Sequence, residues 1–522
     1  MKSLTSSVYR IWNKSILAFG ANQSPSLCRA KILCFTNSPL FAKLVGFLFS
    51  FLPIMFYLWY KDAAILQQIA NIPIYLDTIW EHFRHTHSQH LTFGESKPLK
   101  YFCLGYWWHT FKNLAPVSDK ISLIFEFLTL ATLPVCLLLA PSTIKNYMLY
   151  IVYLCFIFFF LFWCFHTTNL LSFFVAFEAI AIPVFLVLGM WGSINTKPRR
   201  VWASWLFLFF TLVSAGFMFV SIMYLDASLN SLDFSTLFNA QLTKTEKLLI
   251  GAAFFISFAA KLPVVPFHIW LPEAHVEAPT TGSIILASLL LKLGSYGFLR
   301  FFINFLDYFL IFFSRALSYY ILFSLIYTCL VALRQTDMKK IIAYSSVSHM
   351  NLILLGFMSG TLHGYQGFIY VSVGHGFVAG GLFFLLHVLY DRYHTRDLYY
   401  FSGLGQVMPL FSLMLFLFCI SNFAFPGTIN FLGETLILQG IVTKYPSLLP
   451  YVLFGLVLTT GFTISLYTQL TYGTLSLRLS SIFPDLTRLE FLILTYFLGF
   501  IIVGGLHAPS FVFNMPEIVP VL

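Results

Sequence analysis

Six ionisable residues stand inside otherwise apolar stretches of this 522-residue sequence: Glu178, Lys261, Lys292, His349, His375 and Glu434. Carboxyl, amine and imidazole groups share one chemistry in a hydrophobic interior, the taking up and release of protons. Burial disfavours the charged form of an acid or an amine, and an imidazole titrates near neutrality without help. Each charge at the centre of a membrane costs about 2.5–3.5 kcal/mol on insertion scales, a burden that function explains better than packing when it recurs along a chain. For Glu178 and Lys261 alone, a buried salt bridge that holds helices together is an equally good reading. Ser345, Ser346 and Ser348 crowd His349, and Ser372 precedes His375 by one turn, supplying hydroxyls for bridging water.

The elements that must position these groups follow from composition. The chain is 59% hydrophobic and 10% charged, whereas soluble proteins carry about 25% charged residues. Mean hydropathy is +0.83. At about 20 residues per span, thirteen spans would use roughly half the chain. The fold class expected is an all-α polytopic membrane protein of about 13 transmembrane helices. A soluble enzyme, a disordered regulator and an outer-membrane barrel, whose strands would alternate, are excluded. The formal net charge of +10 suits loops at an anionic membrane surface better than nucleic acid. The eight cysteines are scattered without a C-x-x-C, so neither a disulfide framework nor a metal cluster is suggested. Gly403-Leu-Gly405 has Met408 where a dinucleotide loop needs its third glycine, and no Walker A lysine loop is present.

Residues 1–43 carry six basic residues and no acid, which reads equally as a transit peptide or as a retained basic extension. Residues 44–118 hold a first span, Leu44–Tyr60, and a polar stretch with His82, His85, His87 and His90; a metal there is the weaker reading beside an exposed histidine-rich loop. Residues 119–169 contain two flanking spans, 170–340 one group of five and 341–506 another, before a tail at 507–522. The third span of each group is interrupted, by Pro263 and Pro266 in the first and by Pro426 and Gly427 in the second. Five is odd, so the second group enters the membrane inverted, the architecture of ion transporters with sites at broken helices. Proline removes a bond of the helix ladder, and the freed carbonyls are tolerated only against protein or water. Alternating the spans collects Lys145, Lys197, Arg199, Arg200, Arg334, Lys339, Lys340, Arg392, Arg396, Arg478 and Arg488 on one side with the N-terminus. The positive-inside rule makes that side the inner one.

Five stretches carry a family resemblance. Ala260-Lys-Leu-Pro-Val-Val-Pro-Phe-His-Ile-Trp-Leu-Pro-Glu-Ala-His-Val-Glu-Ala-Pro-Thr280, followed by Leu289-Leu-Leu-Lys-Leu-Gly-Ser-Tyr-Gly297, resembles the antiporter-like subunits of respiratory complex I. So do Gln335-Thr-Asp-Met-Lys-Lys-Ile-Ile-Ala-Tyr-Ser-Ser-Val-Ser-His-Met350 and Pro426-Gly-Thr-Ile-Asn-Phe-Leu-Gly-Glu434. The run Tyr390-Asp-Arg-Tyr-His-Thr-Arg-Asp397, with a glutamate rather than a lysine at the second break, is similar to the subunit 4 branch. The resemblance covers about Asp119 to Leu506.

It implies a membrane-arm subunit of NADH:ubiquinone oxidoreductase that moves protons while electrons pass elsewhere in the complex. Glu178 and Lys261 would be the coupling pair, Lys292 the central relay, His349 and His375 bridging groups, and Glu434 the outer gate. The chain itself would hold no cofactor; NADH, FMN, iron–sulfur clusters and ubiquinone would belong to partner subunits. Partners would be membrane-arm subunits of the 2 and 5 types and lipids such as cardiolipin, with no nucleic acid. The 62 phenylalanines suit an A+T-rich organelle genome, although bacterial and plastid relatives share the motifs; the expected location is the mitochondrial inner membrane. The family usually has fourteen helices against the thirteen counted here. Two alternatives stand beside this reading: a subunit of a multi-subunit sodium/proton antiporter, and a membrane spacer with inert buried pairs.

Overall fold

The computed structural model describes residues 120–140, 146–192, 197–229, 231–474 and 484–506. The expected span Leu44–Tyr60, the four histidines after it and the basic N-terminus lie outside the described residues. Within them, the chain is a helical bundle with no strand; two isolated bridges, Asn169 with Asp233 and Asp337 with Asp397, tie loops together.

Helices α1 (Lys120–Leu139) and α2 (Tyr147–His166) precede α3 (Leu170–Trp191) and the long α4 (Lys197–Leu229). Helix α5 (Lys244–Lys261) stops short, and α6 (Trp270–Glu277) resumes after a gap. Then come α7 (Thr280–Phe302), α8 (Asp307–Leu333), α9 (Met338–Met358) and α10 (Leu362–Tyr393). A second interrupted pair, α11 (Pro409–Asn422) and α12 (Ile429–Lys444), leads to α13 (Leu449–Thr471) and α14 (Arg488–Leu506). Ten of the described helices are long and apolar enough to cross a membrane.

Local signals set the helix starts. Asn169 accepts from Leu171 N, Asp337 from Lys339 N, and Thr361 from Gly364 N. Thr243 and Glu246 form a reciprocal capping box, which satisfies two donors that the first turn of α5 would leave bare. The apolar run Val201–Tyr224 underestimates α4, which has 33 residues. At 1.5 Å per residue it outreaches the roughly 30 Å hydrocarbon layer, and its Lys-Pro-Arg-Arg start and Asp226 end carry polar turns beyond it.

Helices α7 and α10 form the centre, every residue of their most apolar stretches being buried, with α9 nearly so. The basic loops converge at one end of the bundle. There Lys339 Nζ donates to the Ala278 carbonyl (3.1 Å), Arg396 to the Val276 carbonyl, and Arg200 to the Gly192 carbonyl (3.3 Å). The 167–169 loop meets the 231–234 segment through Leu170 N to Leu232 O and Phe234 N to Thr168 O, both 2.9 Å, at the opposite end of α3 and α4.

Candidate functional site

Backbone chemistry opens the first break. Pro263 has no N–H for the Ala259 carbonyl, so Val264 N takes that oxygen at 3.2 Å. The Ala260 carbonyl is thereby freed, and the Trp270 indole N–H donates to it at 2.9 Å. Val265 N finds Ser324 Oγ at 3.1 Å, and the Tyr320 hydroxyl donates to Val265 O. These three groups are met by neighbouring helices, as an interruption inside a membrane requires. The second break uses Pro426 and Gly427, whose φ of 97° is accessible to glycine without strain. Asn430 Nδ2 crosses it to the Ser421 carbonyl at 3.0 Å.

Lys261 is the last residue of α5 and points at α3. Its Nζ lies 3.4 Å from Glu178 Oε1, donates to the Phe177 carbonyl at 2.6 Å and sits 3.2 Å from the centroid of the Phe177 ring. Helix α3 is irregular beside the pair, because Pro183 cannot donate to the Ala179 carbonyl and the helix resets at Ile180.

Lys292 lies on α7 just after a π-helical turn, Leu286–Leu290, a distortion frequent at functional sites. Its Nζ donates to the Ala287 carbonyl at 2.7 Å and meets His375 Nδ1 at 2.8 Å. The His375 and His349 rings are 5.6 Å apart, and His349 Nδ1 is 3.7 Å from Glu434 Oε1. Lys292, His375, His349 and Glu434 therefore form one buried line through α7, α10, α9 and α12. Glu178 and Lys261 form a second group. Beside Lys261, a cavity of about 10 Å³ is lined by Lys261, Thr211, Trp270 and Leu290; that is room for about one water.

The serines expected to hold water serve the helices first: Ser345 and Ser346 donate to Ile342 O, Ser348 to Ser345 O and Ser372 to Phe368 O. Their acceptor lone pairs stay available. Among the described residues, no cluster of three or more His, Cys, Asp or Glu side chains could hold a metal ion, and the five described cysteines are free.

Two groups escaped the sequence reading. His275 is fully buried on α6, stacked 4.4 Å from Phe383, with neither ring nitrogen hydrogen-bonded. Glu126 is buried on α1; an acid near the start of an apolar run, it carries only a weaker form of the signal that marked the other six. At the basic end a polar pocket of about 420 Å³ lies between Arg199, Glu273, Glu277, Asp337 and Lys340. Burial pushes the Asp337 carboxyl above its usual range, with Arg396 pulling the other way.

The description of the family model that matches residues 167–463, more than half of the chain, is NADH:quinone oxidoreductase/Mrp antiporter, transmembrane. NADH-ubiquinone oxidoreductase chain 4 of Acanthamoeba castellanii is 40% identical over 400 residues, 76% of this chain and 80% of that one. The protein of the same name from Chondrus crispus is 38% identical over 413 residues, 78% of this chain and 83% of that one. Among solved structures, a chain of respiratory complex I from Thermus thermophilus with bound NADH superposes with a TM-score of 0.71 at 25% identity. That match covers 77% of this chain and 84% of the other.

Proposed function

The chain belongs to the NADH:quinone oxidoreductase/Mrp antiporter family, on its chain 4 branch, and from that premise we propose that it carries protons across the membrane through its own buried side chains. It is a multi-pass membrane protein and an antiporter-like membrane-arm subunit of complex I. The membrane would be the mitochondrial inner membrane, the neighbours subunits of the 2 and 5 types, and the bound lipids anionic ones such as cardiolipin. NADH, FMN, iron–sulfur clusters and ubiquinone would be held by partner subunits, leaving this chain without a redox centre. The five helices from α3 and the five from α9, each with an interrupted third member, are read as inverted repeats.

The observation that carries the proposal is the buried line Lys292–His375–His349–Glu434 together with the Glu178–Lys261 pair. A signal from a neighbouring subunit that moves or neutralises Glu178 takes away the partner of protonated Lys261. The proton then passes, with water, to Lys292 and through the two imidazoles to Glu434, which lies just beyond the second break toward the end opposite the basic loops. Moving one charge against the potential takes about 2.3 kcal/mol per 100 mV. A change of one to two units in proton affinity, about 1.4 kcal/mol each, is of that size, so opening and closing one ion pair suffices for the task.

Lys261→Met in the intact complex tests this. Translocation through this subunit should cease while the complex assembles, seen as fewer protons moved per NADH oxidised in proteoliposomes. A normal proton yield from an assembled variant refutes the role. Sodium dependence of the transport would instead favour the antiporter reading.

A further inference from the structure

Glu126 belongs neither to the Lys292 line nor to the Glu178–Lys261 pair, yet it is 5% exposed in an apolar helix. Its Oε1 lies 3.1 Å from His166 Nδ1 and is otherwise without a hydrogen-bond partner. That Nδ1 is also committed to the Phe162 carbonyl at 3.0 Å. A carboxyl kept only for packing would have its oxygens saturated, because an unmet buried acceptor costs free energy. His166 ends α2, and its side chain is 33% exposed, beside the 167–169 loop opposite the basic loops. The pair thus joins a buried acid to a half-open imidazole at the end of the bundle toward which Glu434 also leads.

Hydroxyl groups at one-turn spacing lie between the pair and the centre. Tyr296 follows Lys292 by four residues on α7, which puts both on one face of the helix. The Tyr296 hydroxyl is buried and lies 3.3 Å from Ser122 Oγ on α1. Ser122 in turn precedes Glu126 by four residues on one face of α1. The Phe125 and Phe165 rings pack on Tyr296 at centroid distances of 6.0 and 5.1 Å, and its hydroxyl also donates to the Phe165 carbonyl at 3.4 Å. The hydroxyls are amphoteric, able to accept one proton and donate another.

We propose that Glu126 and His166 form a second outlet for the proton of Lys292, reached through Tyr296 and Ser122 and separate from Glu434. The inference rests on the translocation reading above. In each passage the Lys292 ammonium gives up one proton and becomes a neutral amine. The hydroxyls and intervening water relay one proton without net change, and the Glu126 carboxylate becomes the acid. Glu126 then returns to carboxylate by passing the proton through water to His166 Nε2, while Nδ1–H stays on the Phe162 carbonyl, and the imidazolium releases it to bulk water. No electron moves and no other reactant is needed.

The test uses the intact complex in proteoliposomes, with protons counted per NADH oxidised. Tyr296→Phe keeps the ring contacts and removes only the relay hydroxyl; Glu126→Gln keeps the shape and removes the titrating group. Each should show at least half of the deficit caused by Lys292→Met, and Glu126→Asp should restore most of the yield. A wild-type yield in assembled Tyr296→Phe complex overturns the outlet, whether or not Glu126→Gln assembles. Lys292→Met separates the two ideas. Its normal pumping would remove translocation itself, whereas its failure beside a normal Tyr296→Phe yield would remove only the outlet.

Discussion

Lys292 Nζ stands 2.8 Å from His375 Nδ1, and neither side chain reaches the surface. A protonated amine can only donate, so Nδ1 is the acceptor while Lys292 is charged. Movement of one proton along this hydrogen bond turns the imidazole into the cation. The next ring, His349, is 5.6 Å away between centroids, and the Nε2 atoms of both rings are buried without a partner. The charge can therefore advance by steps that leave each backbone in place.

His375→Gln preserves a polar contact to Lys292 but cannot carry a proton in this range. The variant should assemble and move fewer protons per NADH, by as much as Lys292→Met does. Native gels check assembly and proteoliposome acidification checks transport. An assembled His375→Gln complex with the wild-type yield would show that the imidazole only packs.

The Glu178–Lys261 pair predicts a particular order of stabilities. In Glu178→Gln the ammonium keeps only the Phe177 carbonyl at 2.6 Å and the face of the Phe177 ring, so one charge is left without its counter-ion. Breaking one side of a buried pair costs more than replacing both. Glu178→Gln with Lys261→Met should therefore be more heat-resistant than Glu178→Gln alone, with a coupling of about 0.5–3 kcal/mol for residues in contact. Thermal inactivation of the assembled complex gives the order. Equal midpoints would mean that the pair contributes nothing to stability.

Much of this site was legible because its signals are local. Pro263, Pro266, Pro426 and Gly427 marked the breaks, since a missing N–H or a positive φ is a property of one residue. The six ionisable positions stood out because charge in an apolar run is costly wherever the run folds. The order of contacts was not legible: nothing in the spacing of residues 292, 349 and 375 says that His375 touches Lys292 and His349 touches Glu434. The π turn at Leu286–Leu290 has no composition of its own. Glu126 and His166 sit near the ends of their runs, where a polar residue reads as one that reaches water, and only packing shows that Glu126 does not.

Close approach of α10 and α12 fixes the turn of α12 that carries Glu434 toward His349 of α9, and glycine permits it. A Cβ at Gly367 would fall 2.7 Å from the Gly433 carbonyl oxygen and 2.8 Å from Ile437 N, backbone atoms on either side of Glu434 that cannot swing aside. Gly367→Ala must push α12 outward, at about 1–3 kcal/mol for overpacking, and should lower both heat resistance and proton yield. Gly499→Ala on α14, where nothing lies within 4 Å, is the control and should match wild type. Similar behaviour of the two variants would count against the glycine contact as the device that sets the His349–Glu434 distance.

The first break offers a sharper test, because one hydrogen bond meets the carbonyl it frees next to Lys261. The Trp270 indole is the donor to Ala260 O at 2.9 Å, and Trp270 is 2% exposed. Trp270→Phe retains an aromatic ring and deletes that donor, leaving a buried carbonyl one residue before Lys261. An unmet buried acceptor costs about 1–3 kcal/mol, and the end of α5 would relax toward whatever donor is nearest. Since Lys261 is the last residue of that helix, its 3.4 Å separation from Glu178 Oε1 depends on the same turn. Trp270→Phe should therefore melt earlier and also lose part of its proton yield, whereas a defect of packing alone would lower the melting midpoint and leave the yield intact. Thermal midpoints and protons per NADH, measured on the same preparation, distinguish the two outcomes.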